Sequence, residues 1–212
     1  AMNVVNERKR PYIVMEGMSD RFMATYKRPF EAKDIKVVMY AGGLHERYGL
    51  KKLTEAFMML PQENFRLKLF GSGPFVEKLK TKYTKKDSRI QYMGVAPNAE
   101  VVAAELDASL LVNPRPTHEE FTKYSFPSKN IEYMASGTPL LTTKLPGMPK
   151  EYYPYVFLIE NESVEGYAKA LERVLAQSDE ELYVFGEKAK DFVLEKKNSF
   201  EQAKRVIELI KL

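Results

Sequence analysis

Lys129 and Glu132 are the side chains whose types and spacing are best suited to bind a ligand. They lie three residues apart in the segment KYSFPSKNIEYMASGTPLL (123–141), where Pro127 suits the first turn of a helix. This spacing places both side chains on one side of the helix. A helix start offers unpaired N–H groups to an anion such as a phosphate, and a carboxylate one turn later can accept from sugar hydroxyls. These features together predict a nucleotide-sugar site.

The same segment also has a purely structural interpretation. Ser125 and Ser128 can cap the free N–H groups of the first turn, and a Lys–Glu pair at this spacing is commonly a solvated ion pair. Gly137 is expected to take the left-handed conformation that ends many helices, and Pro139 prevents continuation. Taken alone, the segment fits capping as well as it fits ligand binding.

Length and composition exclude several classes of protein. The chain has 212 residues, 44% of them hydrophobic, which is enough for a full core in one or two domains. It has no apolar run of about 18 residues and no apolar signal segment, so we expect neither a transmembrane helix nor a signal peptide. The lack of cysteine excludes a disulfide framework and fits the cytoplasm. Because His45 and His118 are the only histidines and no ligand cluster has zinc or iron spacing, we expect no metal site. We also expect no cofactor.

The chain has a net charge of +4, and its lysines are concentrated at residues 78–86 (KLKTKYTKK). A basic patch can attract nucleic acid or an anionic membrane surface. No signature of a nucleic-acid-binding module accompanies the cluster. We therefore interpret it as a solvated lysine-rich face and expect no nucleic-acid partner.

Short apolar runs alternate with amphipathic segments along the chain. The predicted strands are 12–16, 35–41, 65–70, 89–93, 108–113, 139–142 and 155–159. The predicted helices lie near 50–60, after Pro74, near 98–106, 127–136 and 164–175, and after the capping boxes Ser178/Glu181 and Ser199/Gln202. This alternation predicts an α/β fold with a doubly wound parallel sheet of the Rossmann-like type.

Glycines follow three of the predicted strands, at the edge where doubly wound sheets bind ligands. A glycine there lets a ligand approach the backbone closely. The segment at 71–74 (GSGP) is not a dinucleotide fingerprint, because position 76 is Val76, and the chain has no Walker GK[ST] sequence. We therefore expect neither an NAD enzyme nor a P-loop NTPase. The glycines concerned are Gly42, Gly43, Gly71, Gly73 and Gly94.

Four segments resemble, in order and spacing, the C-terminal domain of GT-B glycosyltransferases, especially those of family 4. They are YAGGLHERYGLKKLTEAF (40–57), LKLFGSGP (67–74), RIQYMGVAPNAEV (89–101) and YSFPSKNIEYMASGTPLLTT (124–143). The resemblance covers residues 36–160 and implies the C-terminal half of a GT-B fold. It also implies glycosyl transfer from a nucleotide-diphosphate sugar, with retention of the anomeric configuration and with UDP as the favoured nucleotide.

The carboxylates of the resembling segments depart from the family pattern. The first glutamate of the family's E-x7-E motif falls on Tyr124, whereas the second is Glu132. Glu119 and Glu120, in the preceding loop, are candidates for the missing carboxylate. The candidate catalytic residues are therefore Glu132 and Glu120.

The basic groups depart from the pattern as well. The Arg and Lys that usually hold the donor diphosphate fall on Gly43 and Tyr48. Arg47 and Lys129 are expected to supply positive charge instead.

The resemblance implies a role for several residues of the donor site. Glu132 would hold the ribose hydroxyls, Ser128 and Lys129 would meet the diphosphate, and the backbone near Val95 would meet the nucleobase. Gly43 would let the diphosphate approach. The other implied donor-binding residues are Arg47, Gly71, Ser72, Ser125 and Phe126.

The resemblance further implies that an N-terminal domain with the acceptor site belongs beside this one. Residues 1–10 are expected to be a cloning remnant and linker, because Ala1 precedes Met2. Residues 11–195 form the expected donor-binding domain, and the amphipathic helix in 196–212 is expected to pack against the N-terminal domain. Alone, the chain is expected to bind a nucleotide weakly and to catalyse nothing.

By the same resemblance, the full enzyme is expected to act in polysaccharide biosynthesis in the cytoplasm, with peripheral association at the inner face of the membrane. Two alternatives remain open. One is a nucleotide-sugar 2-epimerase of GT-B fold, whose acid–base carboxylates and histidines we cannot place in the sequence. The other is a non-catalytic doubly wound interaction module, which should not lose nucleotide affinity when Glu132 is replaced.

Overall fold

Six parallel strands form one sheet in the computed structural model, which describes residues 11–211. The order across the sheet is β3-β2-β1-β4-β5-β6. The predicted linker at residues 1–10 lies outside the described residues. The strands are β1 (Lys36–Ala41), β2 (Phe65–Phe70), β3 (Ile90–Gly94), β4 (Leu110–Asn113), β5 (Leu140–Thr143) and β6 (Phe157–Ile159).

From β1 to β5, one helix connects each strand to the next. A 3-10 segment (Lys150–Tyr155) then leads to β6, and three helices follow. The second helix, α2, starts at Phe75–Lys78 and continues through a π-helical turn (Leu79–Tyr83) and a last turn (Thr84–Lys86). No helix within 11–211 combines the length and apolarity that a membrane span requires. The others are α1 (Leu50–Met58), α3 (Asn98–Asp107), α4 (Ser128–Ser136), α5 (Val164–Leu175), α6 (Asp179–Lys196) and α7 (Ser199–Ile210).

The two faces of the sheet carry separate hydrophobic cores. Along β1, Val38 and Tyr40 contribute to one core and Val37 and Met39 to the other, because successive side chains of a strand point to opposite faces. The first core joins the sheet to α1, α2 and α5, and the second joins it to α3, α4 and α6. The sheet is therefore buried on both faces, which explains the continuous apolar runs of its strands.

The strand order defines a topological switch point between β1 and β4. From β1 the chain proceeds to β2 and β3 on one side, and then returns to β4 on the other side of β1. Ligands of doubly wound sheets bind in the crevice at the carboxyl ends of such strands. Two loops leave this crevice: the β1 loop (residues 42–49) and the β4 loop (residues 114–127).

The prediction of a strand at residues 12–16 is wrong. The segment has no regular secondary structure, and Tyr12, Val14 and Met15 are about half exposed. The Val14 carbonyl accepts from the Arg205 guanidinium on α7, so this apolar segment lies along a helix and has no neighbouring strand to pair with.

One predicted helix cap is displaced by one residue. The side chain of Asn198 caps α7, accepting from the Glu201 N–H at 3.0 Å, where Ser199 was predicted. The other predicted capping box is confirmed, since Ser178 and Glu181 bond reciprocally at the start of α6.

Candidate functional site

Helix α4 begins with no side-chain cap, so no side chain occupies its first N–H groups, although the Asn130 N–H donates to the Pro127 carbonyl at 2.9 Å. Pro127 occupies the cap position, and Ser128 is exposed at the first helical position. The Ser125 hydroxyl donates to the Phe121 carbonyl oxygen at 2.9 Å, so the predicted capping role of the two serines is wrong. The predicted end of the helix is confirmed, with Gly137 in the left-handed conformation at φ 80°.

The predicted ion pair at the start of α4 is present and has a third, buried member. Lys129 Nζ lies 2.9 Å from Glu132 Oε1 and 3.7 Å from Glu105 Oε1. Glu105 lies on α3 and is fully buried, and neither of its carboxylate oxygens has a hydrogen-bond partner among residues 11–211. Burial, assisted by the nearby charge of Glu132, raises the pKa of Glu105 to about 7, although Lys129 opposes the shift.

Two side chains of α4 attach its first turns to the switch point. The Tyr133 hydroxyl accepts from the Ala41 N–H at 2.8 Å and donates to the Ala41 carbonyl at 3.1 Å, at the end of β1. Asn130 accepts from the side chain of Asn113, at the end of β4. Because both partners are buried, the open start of α4 is held beside the crevice.

The turns after β1, β2 and β3 pack directly on one another. A Cβ atom on Gly71 would lie 1.9 Å from the Gly42 carbonyl oxygen, and the Gly71 N–H donates to the Gly94 carbonyl at 2.7 Å. The predicted residues Gly43 and Ser72 are exposed at this edge, and Val95 is 75% exposed. Only a residue without a side chain allows this contact at position 71, which brings the three predicted backbone segments together.

Ser128 and Glu132 line a cavity of about 310 Å³ that is enclosed by α3, α4 and residues 18–23. Its size falls within the usual range of small-molecule sites, about 300–1,000 Å³. The sequence did not reveal its other walls, which come from segments far apart in the chain. They are Met18, Ser19, Asp20, Met23, Asn98, Val102 and Ala135.

A second group of candidate residues lies where the β1 and β4 loops meet. The Arg47 and Arg115 guanidinium carbons lie 5.3 and 4.9 Å from the centroid of the Tyr48 ring. Both lie 5.6 Å from the Phe121 ring. Arg115 was not among the predicted candidates, and its position two residues after β4, next to the switch point, is the signal that could have revealed it.

The remaining predicted residues have more local roles. Phe126 packs on Tyr152 with 4.8 Å between ring centroids, which anchors the β4 loop to the second core. Glu120 is exposed at the start of a 3-10 segment (Glu120–Lys123) and does not line the cavity. Glu119 lies 3.9 Å from His118. Within the described part of the chain, no three His, Asp or Glu side chains are grouped as metal ligands.

The chain resembles known glycosyltransferases in sequence and in structure. WcaL of Escherichia coli (strain K12), named as a colanic acid biosynthesis glycosyltransferase, is 30% identical over 112 residues, which are 50% of this chain and 27% of WcaL. The C-terminal domain of LpcC, a glycosyl transferase group 1 family protein of Francisella tularensis, has a TM-score of 0.64 at 18% identity. This match covers 78% of the chain and 87% of that domain.

A TarM variant of S. aureus, in complex with fondaparinux, α-GlcNAc-glycerol and UDP, has a TM-score of 0.75 at 15% identity, covering 98% of this chain and 41% of TarM. The chain thus spans less than half the length of WcaL and of TarM. These structures confirm the predicted fold, the Rossmann-like C-terminal half of GT-B glycosyltransferases. The family model described as "Glycosyl transferases group 1" matches residues 24–211, and the chain belongs to this family.

Proposed function

We propose that this domain binds the nucleotide-diphosphate sugar donor of a glycosyl transfer reaction. The observation that carries the proposal is the position of Glu132, a half-buried carboxylate that faces a 310 Å³ cavity one turn after the uncapped start of α4. Two oxygens of one carboxylate can accept from two neighbouring ribose hydroxyls. The open N–H groups of the first turn suit the adjoining diphosphate.

The cavity provides the nucleoside end of the donor site in this proposal. Val102 and Met23 supply apolar contacts for a nucleobase, and Asn98 supplies polar atoms for its edge. The exposed backbone at Val95 lies shortly before Asn98 in the chain and would meet the same base. UDP is the favoured nucleotide, supported by the UDP in the TarM complex.

In the proposed reaction, the bond between the anomeric carbon and the β-phosphate oxygen breaks, and its electron pair stays on that oxygen. The acceptor hydroxyl oxygen bonds to the same face of the anomeric carbon, and its proton passes to the departing phosphate oxygen, so that the configuration is retained. N–H groups and cations directed at the phosphate lower the barrier to its departure. Glu105, the carboxylate that lies near Glu132 on α3, is fully buried and therefore not free to form a glycosyl-enzyme intermediate with the sugar.

The acceptor site belongs, in this proposal, to a second domain that contacts α7. Phe200, Ile207 and Ile210 are 64%, 52% and 77% exposed, although they form the apolar side of that helix. Burying such a row of side chains against another domain is favourable. Transfer is therefore expected to require both domains, whereas nucleotide binding is expected of this one.

Calorimetric titration with UDP, GDP, ADP and CMP tests the proposal. Saturable binding of UDP is expected, and Glu132→Ala should weaken it about tenfold or more, since hydrogen bonds to a charged group contribute about 1.5–3 kcal/mol. Glu172→Ala removes an exposed carboxylate on α5 and serves as the control. Equal UDP affinity of the wild type and Glu132→Ala would contradict the assignment of Glu132.

A further inference from the structure

The arginines Arg47 and Arg115 form a pair of cations held on a common aromatic support. Tyr48 and Phe121 contact each other edge to face, with 6.0 Å between ring centroids, and both guanidinium groups lie within 5.6 Å of both rings. Cations at this distance from aromatic rings are attracted to the ring faces. The support therefore limits the freedom of two side chains that would otherwise be flexible.

Two acidic residues near this pair bond to other groups, and a third acts on Arg47 without a salt bridge. Glu46, next to Arg47, bonds to Lys78 at 2.8 Å. Glu162 accepts from the Thr117 N–H at 3.1 Å. The charge of Glu119 favours the charged form of Arg47. Among the described residues, neither guanidinium forms a salt bridge. The two positive charges lie within about 10 Å of each other and repel, a cost that a bound anion would remove.

The location of the pair identifies the class of anion. Arg47 comes from the β1 loop and Arg115 from the β4 loop, so they stand on the two sides of the switch point. Gly43 lies at the edge of the Tyr48 ring, since a Cβ atom there would be 3.3 Å from it, and its exposed backbone leaves room for a ligand. Planar guanidinium groups match phosphate oxygens bidentately.

We propose that Arg115, together with Arg47, binds the diphosphate of the donor, and that Tyr48 and Phe121 orient the two guanidinium groups for this contact. The proposal rests on the proposed function and adds to it a residue from the β4 loop. It also assigns a role to Tyr48, which stands where the family pattern has a basic residue. Its ring supports the guanidinium groups of Arg47 and Arg115, which supply the positive charge instead.

The experiment compares three probes: UDP, uridine and inorganic pyrophosphate. Arg115→Met, which keeps an unbranched side chain over Tyr48, should weaken UDP and pyrophosphate binding about tenfold and leave uridine binding unchanged. Arg115→Lys should recover part of the affinity, because it restores the charge without the planar fork. Lys188→Met removes a charge from the exposed face of α6 and should change none of the three affinities.

Glu132→Ala supplies the opposite pattern, with uridine and UDP weakened and pyrophosphate unaffected. If Arg115→Met weakens uridine as much as UDP, or leaves both UDP and pyrophosphate unchanged, the diphosphate role is wrong while the nucleotide-binding function stands. If the wild-type protein binds pyrophosphate through Arg115 but binds neither uridine nor UDP, the proposed function fails and the anion site remains. Thermal unfolding of each variant identifies any loss that comes from misfolding.

Discussion

Replacing Gly49 by alanine is expected to lower the free energy of unfolding by about 3 kcal/mol or more. Gly49 adopts φ 85°, a left-handed conformation that costs an alanine about 1–2 kcal/mol. A Cβ atom there would also lie 1.8 Å from the Pro114 carbonyl oxygen, so the β1 and β4 loops would have to separate. Urea unfolding followed by circular dichroism measures the loss. Because Arg115 adjoins Pro114, UDP affinity is expected to fall as well.

Gly94→Ala is the matched control for this prediction. Gly94 adopts a nearly identical φ of 78°, yet a Cβ atom there would meet nothing within 4 Å. It should therefore show only the conformational cost of about 1–2 kcal/mol. Equal destabilisation by the two substitutions would mean that the close approach of the two loops contributes nothing to stability.

Replacing Glu105 by glutamine is expected to raise the free energy of unfolding by about 3 kcal/mol at pH 8, and by less than about 1 kcal/mol at pH 5. The pKa of Glu105 is raised from its ordinary value of 4.5 to about 7, with burial as the largest cause. Between pH 5 and pH 8 the folded protein binds more protons than the unfolded chain, so the free energy of unfolding falls as the pH rises. Glutamine resembles the protonated acid and does not ionise, so it removes this loss.

Unfolding curves of the wild type and Glu105→Gln at pH 5, 6, 7 and 8 test this prediction. Glu100→Gln, an exposed position on the same helix, should leave the pH dependence unchanged. The groups that face Glu105 from α4 are Lys129, Glu132 and Tyr133. If the difference between Glu105→Gln and the wild type is constant across this pH range, ionisation of Glu105 does not limit stability.

Much of the fold could be predicted from local residue patterns. The limits of β2 agree with those predicted, and α4 begins one residue after its predicted start, because Gly71 follows the strand and Pro127 and Gly137 bound the helix. The prediction of a strand at 12–16 was wrong, because an apolar run becomes a strand only when another strand pairs with it. The predicted cap of α7 was wrong by one residue. Asn198 and Ser199 are both residue types that cap helices well, and the backbone conformation determines which of the two occupies the cap position.

The candidate site divides in the same way. Lys129 and Glu132 lie on one helix, so their three-residue spacing alone determined that they would meet, and the glycines after β1 and β2 were placed at the correct edge by the order of elements. Arg115 beside Arg47, and Glu105 beneath Lys129, were decided only by the tertiary structure. Each of these contacts joins segments distant in the chain, and their proximity depends on the strand order and on the packing of α3 against α4. Local periodicity carries no information about either.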